Sequence, residues 1–92
     1  MALHLRIAGR VQGVGYRAAF LREAGKRGLS GWVRNRHDGS VEAVVDGDAG
    51  ALAQIEAWAR QGPAGASVQQ VLATQCDAGS LRAGVMQIRP TA

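Results

Sequence analysis

The chain has 92 residues, 47% of them hydrophobic and only 4% aromatic, a size that suits one domain over residues 1–92, just below the commonest range of roughly 100–150. No apolar run nears the roughly 18 residues of a membrane span, and no signal-peptide core follows Met1, so a membrane protein is not expected. The formal net charge of +4 suits anionic partners, but the arginines are scattered and Lys26 is the only lysine, which argues against a dedicated polyanion stripe.

Leu3, Leu5 and Ile7 alternate with His4, Arg6 and Ala8, the pattern of a half-buried strand. Gly9-Arg10-Val11-Gln12-Gly13-Val14-Gly15-Tyr16-Arg17 follows and leads into the helix formers Ala18 to Ala24. Strand, glycine-rich turn and helix together aim backbone N–H groups at an anion, because the first N–H groups of a helix lack intrahelical partners. Glycines at 9, 13 and 15 let the backbone curl closely round a small ligand, and Arg17 at the helix start has the guanidinium to close over it. A turn that holds no ligand is the alternative reading of the same residues.

Dinucleotide and mononucleotide readings are weaker. Gly13-x-Gly15 with Ala18 formally meets the dinucleotide fingerprint, but Asn35 and Arg36 stand where an acidic strand end is needed. No Lys-Ser or Lys-Thr follows the glycines, so the Walker pattern fails.

The helix is predicted over about Tyr16 to Lys26, burying Tyr16, Ala19, Phe20 and Ala24 and stopping at Gly28. Leu29 to Asn35 reads as a second strand, Asn35 to Gly39 as a turn, and Ser40 to Asp46 as a third strand with Val41, Ala43 and Val45 on one face. Asp48 is a candidate N-cap for a second amphipathic helix ending near Gln61, before Gly62-Pro63. Val68 to Cys76 reads as a fourth strand, Ala78 to Ser80 as a turn, and Gly84 to Arg89 as a short fifth strand. The order βαββαβ defines an α+β fold, the ferredoxin-like arrangement of an antiparallel sheet with two helices on one face, with the first and third strands central.

Other residues invite chemistry less well. His4 and His37 have no second His or Cys at metal spacing, and Asp38, Asp46 and Asp48 fall in turns or caps, so no metal is expected. Cys76 is the single cysteine, which excludes an internal disulfide and points to a cytoplasmic home with a buried or neutral thiol. Trp32 and Trp58 read as packing residues. An RNA-binding reading lacks its aromatics, since Leu3–Ala8 and Ser40–Gly47 carry none.

Gly9 to Arg17, together with Gly31-Trp32-Val33-Arg34-Asn35 and Asp38-Gly39-Ser40-Val41-Glu42, resembles the two signature segments of acylphosphatases. Gly62-Pro63 and Met86-Gln87-Ile88-Arg89 also stand where that family has similar stretches. The resemblance implies metal-independent and cofactor-free hydrolysis of the carboxyl–phosphate anhydride of acyl phosphates, giving a carboxylate and inorganic phosphate. It implies that Arg10, Val11, Gln12, Gly13, Val14 and Gly15 form the phosphate loop, that Arg17 binds the phosphoryl oxygens, and that Asn35 holds the attacking water. A small-molecule substrate and a free monomer follow, with no nucleic-acid partner; a non-catalytic accessory domain is the alternative. Met86 and Pro90-Thr91-Ala92 depart from the aromatic residues usual in the family, a change expected at the far end of the sheet.

Overall fold

The computed structural model describes residues 2–77, 81 and 84–92. Its elements run β1 (Ala2–Arg10), α1 (Tyr16–Lys26), β2 (Ser30–Asn35), β3 (Val41–Asp46), α2 (Ala49–Gln61), β4 (Ser67–Cys76) and β5 (Met86–Ile88). The sheet order is β4-β1-β3-β2-β5, so β1 and β3 are indeed central. The turn expected at Ala78 to Ser80 lies outside the described residues.

β1 pairs antiparallel with both β3 and β4, and β3 antiparallel with β2. These four strands form the antiparallel sheet expected from the sequence; β5, whose direction the sequence left open, runs parallel to β2 with Val33 beside Ile88, so the five-stranded sheet is mixed. The cause is topological. β4 ends at the end of the sheet where β2 begins, and the chain then returns along the opposite edge in the direction of β2.

Alternation along each strand decides what faces the helices. Leu5, Ile7, Val33, Val41, Ala43 and Val45 are fully buried and meet Tyr16, Phe20 and Ala24 of α1 and Leu52, Ile55 and Ala59 of α2 in one core. Trp58 closes that layer against Tyr16 and Phe20, with ring centroids 5.4 and 6.0 Å away. The cap at Asp48 forms as predicted, its Oδ1 accepting the Ala51 N–H at 2.7 Å. β4 is an edge strand beside α2; it buries Val71 and half-buries Val68 against the core while its other side chains stay exposed, which fits its irregular hydrophobic pattern.

The opposite face of the sheet carries Glu42, which the sequence does not single out. Its carboxylate meets His4 Nε2 at 2.6 Å, Arg34 Nε at 2.8 Å and Arg36 Nη1 at 3.0 Å. Burial raises the carboxyl pKa, but these three partners outweigh it and bring Glu42 down to about 2. His4 is therefore part of the hydrogen-bonded cluster around Glu42. On the same face the guanidinium groups of Arg34 and Arg89 each lie over the Trp32 ring, 4.7 and 4.8 Å from its centroid. Cys76 is exposed, contrary to one of the two expectations for it; partial desolvation and the nearby Asp77 and Asp46 raise its pKa and keep the thiol neutral.

Candidate active site

β1 and β2 run in the same direction on either side of β3, and the site lies where both end. Gly9 starts the departure of the chain from the sheet. Its φ is +129°, the register with β4 shifts between Ala8 and Gly9, and a Cβ here would sit 2.2 Å from the Ser67 carbonyl oxygen. Only glycine fits that approach. Val11 then turns inward and is buried in the core, which pins the loop from beneath.

Gly13 and Gly15 both adopt left-handed conformations, φ +76° and +77°. Gly15 is also the N-cap of α1 and, having no side chain, puts nothing over the helix end. The first intrahelical bond runs from the Ala19 N–H to the Gly15 carbonyl at 3.1 Å, so the N–H groups of Tyr16, Arg17 and Ala18 have no partner within the helix. No acidic residue stands in the first turn to use them. The helix start is fixed in space by Tyr16, whose buried hydroxyl donates to the Ala59 carbonyl at 2.8 Å near the end of α2. Burial also raises the Tyr16 pKa, so it stays a donor.

The loop and the end of β2 enclose a cavity of about 220 Å³. Val11, Gln12, Gly13, Gly15 and Arg17 line it from the loop side, and Asn35 lines it from β2. The expected site residues Arg10 and Val14 do not line it: Arg10 is exposed at the end of β1, and Val14 packs against the core. Sequence reasoning missed Tyr16, Ala18 and Ile88, which complete the wall. Ile88 carried a signal only in hindsight of pairing, since β5 reaches the site by lying beside β2.

Two features give the cavity its chemistry. Arg17 makes no side-chain hydrogen bond or ion pair among the described residues, although it stands at the positive end of a helix where an uncompensated cation is disfavoured. Asn35 Oδ1 is buried and accepts no hydrogen bond from any described residue. A buried amide oxygen without a donor is costly, of order 1–3 kcal/mol, unless water or a ligand supplies one.

The tail after β5 belongs to this end of the molecule too. Arg89 N–H donates to the Val33 carbonyl at 2.9 Å, and Ala92 N–H to the Asn35 carbonyl at 3.1 Å. Pro90, Thr91 and Ala92 therefore extend beside the site, not at the far end of the sheet as the sequence suggested; the parallel course of β5 carries them there.

The family model for acylphosphatase matches residues 3–83. The chain belongs to the acylphosphatase family. It is 63% identical over 67 residues to an acylphosphatase of Azoarcus sp. (strain BH72), covering 73% of this chain and 68% of that one. An acylphosphatase of Thiobacillus denitrificans is 58% identical over 69 residues, 75% of this chain and 78% of the relative. The crystal structure of the acylphosphatase from Bacillus subtilis superposes with a TM-score of 0.88 at 32% identity, covering 96% of this chain and 97% of that chain. The acylphosphatase fold thus accounts for the whole mixed sheet with its two helices, β5 included. No described helix is long and apolar enough to cross a membrane.

Proposed function

We propose that this acylphosphatase-family chain, read as one domain over residues 1–92, hydrolyses acyl phosphates to a carboxylate and inorganic phosphate at the cavity between Gly13, Arg17 and Asn35. The observation that carries this reading is the pairing, in one small cavity, of an unpaired guanidinium and unused helix N–H groups with a buried, donorless amide oxygen. The first set suits phosphoryl oxygens. The second suits water.

The loop N–H groups and Arg17 hold the phosphoryl group and balance charge on its equatorial oxygens. Asn35 Oδ1 accepts a hydrogen bond from the attacking water, which orients an oxygen lone pair toward phosphorus. The water oxygen forms the new P–O bond while the bond from phosphorus to the acyl oxygen breaks, and the carboxylate leaves with the electron pair. A carboxylate is a good leaving group, so a general acid is dispensable. The water's proton passes to a phosphoryl oxygen, because an amide is no base. We infer a small-molecule hydrolase acting as a monomer in the reducing cytoplasm; the single cysteine supports the reducing compartment.

The test is hydrolysis of an aryl acyl phosphate, followed by ultraviolet absorbance without added metal. Turnover by the wild type, competitively inhibited by inorganic phosphate, is the expected outcome. A folded, phosphate-binding protein without turnover overturns the enzymatic reading in favour of an accessory domain.

A further inference from the structure

The side chain of Gln12 points away from the role its place in the loop suggests. Its Nε2 donates to the Arg36 carbonyl at 2.8 Å and to the Ser40 carbonyl at 2.9 Å. A primary amide has two N–H donors, and both are spent. The remaining group, Oε1, is an acceptor and has no attraction for an anion. The Gln12 side chain is therefore committed to protein, and only its backbone is open to phosphate.

What it binds is the turn that begins immediately after Asn35. That turn is already formed without Gln12. The Arg36 N–H donates to the Ser40 carbonyl at 2.8 Å, the Gly39 N–H donates to the Arg36 carbonyl at 3.1 Å, and Asp38 Oδ1 accepts from the Ser40 N–H and Oγ at 2.9 and 2.6 Å. Both carbonyls that Gln12 engages thus have a backbone donor of their own. Gln12 neither builds the turn nor rescues a buried acceptor; it ties the glycine-rich loop to an already hydrogen-bonded turn at two points.

We propose that Gln12 is a positioning residue that sets the distance between the phosphate cradle and the water held by Asn35. This rests on the acylphosphatase reading above. The loop carrying Gly13 and Gly15 has backbone freedom, and in-line displacement tolerates little error: a misplacement near 1 Å can cost about a hundredfold. Two hydrogen bonds to one turn fix translation and rotation together, where a single bond would leave a pivot. The cradle and the water site are carried by different strands, and the Gln12 amide is the side-chain link between the loop and the β2–β3 turn among the described residues.

The deciding experiment compares wild type with Gln12→Met, which keeps length and apolar stem but has no donor. Turnover should fall at least about tenfold while the inhibition constant for inorganic phosphate changes less than about twofold, because binding needs only the loop and Arg17. The double variant Gln12→Met/Asn35→Ala should be no slower than Asn35→Ala alone, since without the bound water its positioning is irrelevant. Additive losses, unchanged turnover, or parallel loss of phosphate affinity would each overturn the proposal. A second arm needs no turnover. Inorganic phosphate added to the 15N-labelled wild type should shift the amide signals of Gly13 to Arg17 and, through the tether, those of Arg36 to Ser40. In Gln12→Met the loop signals should still shift and the turn signals should not. Equal turn shifts in both proteins would refute the tether even if the wild type proved to have no acyl-phosphate turnover, an outcome that would by itself sink only the enzymatic reading.

Discussion

Arg17, one residue into α1, and Asn35, the last residue of β2, line the same small cavity from opposite sides. One brings fixed positive charge and the other a buried oxygen lacking a donor. Their separate roles lead to different losses on substitution.

Arg17→Ala removes the only charged side chain lining the described cavity. Turnover should drop by about a hundredfold or more, the scale seen when a transition-state oxyanion donor is lost. Phosphate affinity should fall with it, while the urea unfolding midpoint stays near that of wild type. Steady-state kinetics and phosphate inhibition on the same folded preparation test this; normal turnover would remove Arg17 from the mechanism.

Asn35→Ala should act on the rate instead. Its amide oxygen is assigned to water, so kcat should fall steeply while the phosphate inhibition constant barely moves. Comparable losses in both would place Asn35 on the phosphate.

Tyr16→Phe separates scaffold from chemistry. The variant leaves the Ala59 carbonyl without its hydroxyl partner and should lose about 1 kcal/mol of stability. The start of α1 should loosen, so a modest decline in phosphate affinity is expected alongside. Urea denaturation and phosphate inhibition measure the two effects, and an unaltered midpoint would show that the bond contributes nothing net.

Glu42 makes stability depend on acid. Its folded pKa of about 2 lies below the ordinary value of 4.5, so the folded state binds the proton less well than the unfolded chain. The contribution is complete above pH 4.5 and is lost as pH falls toward 2. Asp38, depressed by hydrogen bonds from Ser40 and by Arg6, and Glu23, depressed chiefly by Arg27, act in the same direction. Comparison with Glu42→Gln isolates the one group: the variant should be less stable at pH 7, and the gap should close between pH 4.5 and 2. A gap independent of pH would assign the loss to packing.

Local rules made much of the molecule legible in the sequence. The helix at Tyr16–Lys26, the Asp48 cap, the inward row Val41, Ala43 and Val45 and the glycine-to-helix cradle all follow from periodicity and backbone preference, which operate over a few residues. Arg17 and Asn35 stood out as well, but Asn35 did so through resemblance, since taken alone it reads as a turn residue.

Long-range pairing decided the rest. The course of β5 beside β2 brings Ile88 to the cavity and the tail to Asn35, and nothing local encodes a partner strand on the far edge of a sheet. The Glu42 cluster draws on three strand segments in register, and the Gln12 amide finds its two carbonyls in a turn distant in sequence. Hydrogen bonds and ion pairs between remote residues depend on register and crossing, which are set when the whole sheet closes over its core. The sequence by itself determined the elements and the kind of anion site; only the tertiary structure chose which side chains face that site and which hold it in place.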